Sequence, residues 1–194
     1  MSSLDRSLVP ALFLDRDGVV NVNYGYVHTP DKFDFIPGIF DLVRKANELG
    51  LLVVIVTNQS GIGRGYYSEN TFLKLTDWML AEFEQQGALI TDVLYCPHHP
   101  NEANEPYKVE CECRKPNKGL AIEAANKHNI DLTKSIMVGD KPIDIEFALK
   151  ASMKHAYYFK NELETKDVTE EENTVITKLT VTLINTLEQV KFNR

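Results

Sequence analysis

Asp15-Arg16-Asp17-Gly18 closes one short apolar run, Thr57-Asn58 closes a second, and Gly139-Asp140-Lys141, with Asp144 three residues on, closes a third. In open α/β sheets ligands bind outside the carboxyl ends of the strands, so these polar residues are the candidates for chemistry. Asp15, Asp17 and Asp140 would meet at one sheet edge. Carboxylates so close together repel and normally surround a cation. Oxygen donors beside a phosphate favour Mg²⁺, which keeps several waters and takes one or two carboxylates. Asp15 and Asp17 are two apart, and in extended chain their side chains point the same way. One could attack a substrate while its neighbour handles a proton, a covalent step followed by acid–base catalysis. Gly18 would let the backbone turn sharply just beyond them. A single Asp after a strand is more often a helix N-cap. The ordered set favours chemistry.

The three cysteines make a second constellation. Cys96-x-His98 and Cys111-x-Cys113 are two short chelating pairs separated by a loop, a set suited to a closed, structural Cys₃His zinc site. A reactive thiol or a Cys–His nucleophilic pair is the alternative, but the use of every cysteine in two spaced pairs favours zinc. His99 is the bystander. The second pair runs directly into Arg114-Lys115-Pro116, so a metal-held loop would deliver Arg114 and Lys115 to an anion. Lys serves there as a point charge and Arg as a fork.

The elements that must position these residues are legible as patterns. The runs at 11–18, 51–60 and 135–144 are short, continuous and apolar, as expected of strands buried on both faces of a parallel sheet. A weaker strand spans 92–96. Apolar residues recur at helical spacing in 39–49 and 69–86, with further helices expected at 120–129 and 144–151. Alternating strand and helix gives an α/β class with a doubly wound, mostly parallel sheet. Residues 161–173 are acidic and fit a solvated loop, and 182–190 fits a closing helix. No repeat, low-complexity tract or linker divides the chain, so 1–194 is expected to be one domain. The glycine-rich 61–65 segment lacks the acidic partner of a dinucleotide-binding turn and is expected to be a flexible loop, with Arg64 on solvated surface. Residues 18–56 are too few for a separate cap; segments 23–36 and 96–113 would form partial walls.

A formal charge of −7 argues against nucleic acid or an anionic membrane as the main partner, a nucleic-acid 3′-phosphatase role included. The longest strongly apolar run, 51–56, is far too short to span a bilayer, and no signal peptide is apparent, so a cytoplasmic protein is expected; a small domain without a cap is expected to be a monomer.

Four ordered motifs, "DRDG" (15–18), "VTN" (56–58), the lysine of "RKP" (115) and "GDKPID" (139–144), resemble those of the haloacid dehalogenase-like (HAD) phosphatases over about residues 11–151. The resemblance implies a capless HAD-like, Rossmannoid fold. It makes Asp15 the nucleophile of an aspartyl-phosphate intermediate, and Asp17 the group that protonates the leaving oxygen and later activates water. Thr57 and Lys115 would bind the phosphoryl oxygens, and Asp140 would complete the Mg²⁺ site with Asp15 and the Asp17 main-chain carbonyl. "FLDRDGVVNVNYGYVH", "VTNQSGIGRGY", "CPHHP" and "CECRKP" look more narrowly like the heptose 1,7-bisphosphate 7-phosphatases, close relatives of the histidinol-phosphate phosphatases that share the zinc loop. This narrower likeness implies a phosphorylated sugar as small-molecule partner. Asn23, Tyr24, Gly25, Tyr26, Asn58, Gln59 and Ser60 would line its pocket, Arg114 would recognise it and Lys141 would approach it. Val19 and "PNKGL" depart from the family pattern. All five catalytic positions are present, which sets aside a non-enzymatic zinc-bearing module.

Overall fold

A computed structural model describes residues 7–160 and 179–192. Six parallel strands form one sheet: Ala11–Leu14 (β1), Leu52–Asn58 (β2), Asp92–Cys96 (β3), Ile136–Gly139 (β4), His155–Phe159 (β5) and Thr180–Ile184 (β6), in the order β3-β2-β1-β4-β5-β6. Between them run helices Ile39–Glu48 (α1), Ser60–Gly63 (α2), Glu69–Gln85 (α3), Gly119–His128 (α4) and Pro142–Lys150 (α5).

Strand period decides the core. Leu12, Leu14, Val53, Ile55, Ile136 and Val138 face one side, where they pack on α1 and α3 through residues such as Ile39, Val43, Met79 and Phe83. Their alternates Ala11, Phe13, Val54, Val56 and Met137 face α4 and α5 through Leu120, Ala124 and Phe147. Burying one such side chain is worth about 1.5–3 kcal/mol, so both faces hold the sheet. Ser68 caps α3 by accepting the Thr71 N–H at 3.1 Å. Pro142 begins α5, where its fixed φ suits the first turn.

The closing segment differs from the helix expected at 182–190. Thr180–Ile184 is the edge strand, because a run rich in β-branched residues fits a pleated surface better than a helix. Asn185 and Thr186 then turn the chain, their N–H groups donating to Gln189 Oε1 at 2.7 and 3.0 Å, before one 3₁₀ turn at Leu187–Gln189. The glycine-rich 61–65 segment opens as the short helix α2, and Asn104 N–H donates to Gly63 O at 2.7 Å. It is packed against the cysteine loop, which is why it is not free. The acidic stretch at 161–173 lies outside the described residues. Among the described residues no helix is long and apolar enough to cross a membrane.

The strand order reverses direction between β1 and β4, which opens a crevice at their carboxyl ends. The register pairs Leu14 with Val138, and the Asp15 N–H donates to Val138 O at 3.0 Å. Asp15 and Asp140 therefore emerge side by side.

Candidate active site

Asp15, Asp140 and Asp144 place carboxylate oxygens within 4.8 Å of one another. Lys115, buried at 2% exposure, sits between two of them, its Nζ 2.7 Å from Asp15 Oδ1 and 2.6 Å from Asp144 Oδ1. Burial opposes the lysine charge, but Asp144 and Asp15 overcome it and hold the ammonium well above the ordinary lysine range. Burial likewise opposes ionisation of Asp15, and Lys115 with Lys141 outweighs it, keeping this carboxyl below its usual range. Asp15 thus stays ionised, as a nucleophile must. Asp140 behaves oppositely: burial and the Asp15 charge push it up to about 8. Its Oδ1 is buried with no hydrogen-bond partner. An orphaned buried acceptor beside a second carboxylate fits a hard divalent cation. Lys141 Nζ lies 3.5 Å from both Asp140 Oδ2 and the Asp17 carbonyl.

Gly18 and Gly139 make this convergence possible. A Cβ on Gly18, whose φ is +106°, would lie 2.2 Å from Asp140 Oδ2, and one on Gly139 would lie 2.1 Å from Asp144 Cβ. Asp144 was visible in sequence only as a strand-end acid. Its role as the second counter-charge of Lys115 depends on a contact across 29 residues.

Asp17 stands outside the acid group. The chain bends at Arg16 just beyond β1, and the Asp17 carboxylate is not among the oxygens gathered there. Its carboxylate accepts instead from Arg16 Nη2 at 2.8 and 2.9 Å, Asn21 Nδ2 at 3.1 Å and Gln59 Nε2 at 3.0 Å. Asp17, Asn23, Gly25, Tyr26, Asn58, Gln59, Ser60, Gly61, Tyr67 and Lys141 line a cavity of about 190 Å³. Thr57, at the end of β2, is buried and accepts from Gln59 Nε2 at 2.9 Å.

Other pocket candidates are placed differently. The Tyr24 hydroxyl donates to Asp34 Oδ2 at 2.8 Å and the ring does not line the cavity. Arg114 also lies off the cavity wall, donating from Nη1 to His98 O at 3.0 Å. The Asn58 amide grips the Lys115 backbone, its Oδ1 accepting the Lys115 N–H and its Nδ2 donating to the carbonyl, each at 2.9 Å. Segment 96–113 backs the wall instead of lining it: α2 and Tyr67 lie in front, with Pro97 and Tyr107 packed behind Gly63.

Cys96, His98, Cys111 and Cys113 form the second group, with their ligand atoms within 4.8 Å of one another. Sulfur–sulfur separations of 3.0, 3.3 and 3.5 Å and a His98 Nδ1–Cys113 Sγ distance of 3.3 Å make a compact cage. None of the sulfurs is close enough to another for a disulfide, and all three cysteines are free. Hydrogen bonding to Cys96 and its other neighbours lowers Cys113 to about 5, whereas hydrogen bonding and burial push Cys96 up, and burial does the same to Cys111. Three sulfurs and an imidazole nitrogen held this close together suit a soft or borderline cation.

Residues 112–181 match the HAD-hydrolase-like family model. The D-glycero-beta-D-manno-heptose-1,7-bisphosphate 7-phosphatase of Yersinia pestis is 48% identical over 145 residues, which cover 75% of this chain and 77% of that one. This chain belongs to the HAD-like heptose-bisphosphate phosphatases. The alpha-anomer enzyme of Burkholderia mallei is 52% identical over 136 residues, covering 70% and 72% of the two chains. Among solved structures, D,D-heptose 1,7-bisphosphate phosphatase from B. bronchiseptica, complexed with magnesium and phosphate, aligns at a TM-score of 0.69 and 30% identity over 78% of this chain and 80% of that one. A HAD-like chain from Mesorhizobium loti aligns at a TM-score of 0.83 and 29% identity, covering 97% and 85%. For a HAD-like phosphatase, one feature outside the expected set is Tyr67, whose hydroxyl donates to Gln59 Oε1 at 2.6 Å. No motif marks it, since its partner is read from folding and not from spacing.

Proposed function

We propose that this chain, acting as one capless domain, removes the C7 phosphate of a manno-heptose 1,7-bisphosphate through an aspartyl-phosphate on Asp15. The observation that carries the chemistry is the Asp15–Lys115–Asp144 chain beside an unpartnered Asp140. It supplies an ionised nucleophile, a fixed cation for the phosphoryl group and a vacant oxygen donor. The substrate assignment rests on the relatives named above.

An Asp15 carboxylate oxygen attacks phosphorus, a new P–O bond forms, and the bond from phosphorus to the C7 oxygen breaks. Asp17, entering the step as the carboxylic acid, gives that departing oxygen its proton and becomes the carboxylate. Asp17 then takes a proton from water as the water oxygen attacks phosphorus, which breaks the bond to Asp15 and releases inorganic phosphate. Phosphoryl transfer needs positioning and charge neutralisation more than any other help. Lys115 supplies a charge from inside the protein, and Thr57 closes the other side of the phosphoryl pocket. Asp15, Asp140 and the Asp17 carbonyl would hold Mg²⁺, which when bound adds neutralising charge at the phosphoryl oxygens. Cys96, His98, Cys111 and Cys113 would hold structural Zn²⁺, keeping the Lys115 segment in place.

The direct test measures phosphate release with Mg²⁺ from the two anomers of heptose 1,7-bisphosphate, beside histidinol phosphate, with Asp15→Asn as control. Preference for one heptose anomer, abolished by the substitution, is the expected result. Preference for histidinol phosphate would overturn the substrate assignment and keep the mechanism.

A further inference from the structure

Gln59 is only 2% exposed although it borders the cavity, and its amide is nearly used up inside the protein. Nε2 donates to Asp17 Oδ2 at 3.0 Å and to Thr57 Oγ1 at 2.9 Å, which commits both amide hydrogens. Oε1 accepts from the Tyr67 hydroxyl at 2.6 Å. The nitrogen end therefore faces Asp17 and the oxygen end faces the tyrosine, the one assignment that gives each end a complementary partner. The tyrosine secures that orientation from behind. Burial pushes Tyr67 up to about 12, so its hydroxyl keeps the proton it donates. Tyr67 is itself seated by stacking on His28, with ring centroids 5.0 Å apart.

Arg16 opposes Gln59 across the same carboxylate. Its side chain is 1% exposed, and Nη2 reaches both Asp17 oxygens while also donating to Val27 O at 2.8 Å. Asp17 is therefore gripped from two sides. If the Gln59 bond were lost, the carboxylate could rotate toward Lys141, whose Nζ lies 3.5 Å from the Asp17 carbonyl.

We propose that Gln59, seated by Tyr67 and opposed by Arg16, is a positioning residue that aims the Asp17 carboxylate, and is not a hydrogen-bond donor to the sugar. This rests on Asp17 being the proton donor to the leaving oxygen. Proton donation matters most when the leaving oxygen is a poor leaving group, as in a sugar alkoxide. It matters least for an acidic phenol.

The experiment compares kcat/KM for heptose 1,7-bisphosphate and for 4-nitrophenyl phosphate in Gln59→Met, Tyr67→Phe and Asp17→Asn. In Asp17→Asn the ratio of sugar to aryl activity should fall by roughly 10²–10⁴-fold, the usual worth of a positioned acid. Gln59→Met should move the ratio the same way by about tenfold, because misaimed groups lose rate steeply. Its KM for the sugar should stay unchanged. Tyr67→Phe should show a smaller shift in the same direction, and it carries the test should Gln59→Met fail to fold. A fall in the ratio carried by a raised sugar KM at unchanged kcat would make Gln59 a sugar contact and overturn the proposal. Equal loss on both substrates would reduce it to a packing role and overturn it as well. An unchanged ratio in Asp17→Asn itself would remove the acid role from Asp17, a failure of the underlying reading that is distinct from the other two.

Discussion

The acid–lysine centre and the cysteine–histidine cluster adjoin along one stretch of chain, 111–115, yet they are built in opposite ways. The cysteine cluster joins two short loops, with contacts spanning 15 to 17 residues. The acid centre joins strand ends, with contacts that span 29 and 100 residues. The charges differ too. The acid centre carries its own cation, Lys115, hydrogen-bonded to two of its three carboxylates, and leaves the buried Asp140 Oδ1 without a partner. The cysteine cluster has no internal cation beyond what His98 could offer. On the function proposed above, one is a pre-paired site kept in shape by the sheet, and the other is a ligand cage that a metal ion would close.

Four substitutions put that contrast under strain. Asp15→Asn removes the nucleophile and leaves Lys115 paired with Asp144, so phosphate release should drop by about 10⁴-fold or more. Retained turnover would break the covalent mechanism. Lys115→Met should strike both stability and rate, because it leaves Asp15 and Asp144 buried together without their cation. Breaking a buried pair in this way costs about 3–5 kcal/mol, which urea unfolding would register. An unchanged stability would mean the lysine is not the internal counter-charge.

Cys113→Ser sharpens the comparison from the other side. Purified protein should carry one zinc per chain, and the variant should lose it together with a thermal midpoint that falls about 2–4 °C for each kcal/mol lost. Removing Mg²⁺ from the unaltered protein should do the reverse, stopping phosphate release while leaving the midpoint nearly in place. Equal thermal effects of the two metals would erase the distinction between a pre-paired site and a closed cage.

The smallest effect is expected at Asp92, at the far end of the strand that terminates in Cys96. Burial raises its pKa, but hydrogen bonds from Lys127 and His128 outweigh this and hold it below the ordinary carboxylate range. A depressed folded-state value stabilises above the unfolded carboxylate pKa and is lost as pH falls through the folded one. Asp92→Asn should therefore cost under about 1 kcal/mol at neutral pH, partly screened because Lys127 is exposed, and the gap should close in acid. Zinc content should not change; if it does, β3 transmits more to the cluster than its end-point geometry implies.

Much of this molecule was legible before any fold was known. Short continuous apolar runs disclose β1, β2 and β4, and helical spacing discloses α1 and α3, because these patterns report how one segment is buried. The chelating pairs were readable for the same reason, since a Cys-x-Cys or Cys-x-His spacing is itself the geometry. Edge strand β6 was not, because a short amphipathic stretch fits either period until a neighbouring strand accepts its hydrogen bonds.

The sequence by itself determined the inventory: which acids close which strands, which residues could chelate, and that a lysine follows the cysteines. The tertiary structure decided how that inventory is spent. It gave Asp144 to Lys115, tied Asp17 to Arg16 and Gln59, and used Asn58 to brace the Lys115 backbone. Local spacing constrains only the few residues that share a strand or a turn. Partners such as Asn58 and Lys115, 57 residues apart, are chosen by sheet register and burial, where a polar group left unpaired costs more than the bond it could otherwise have made to water.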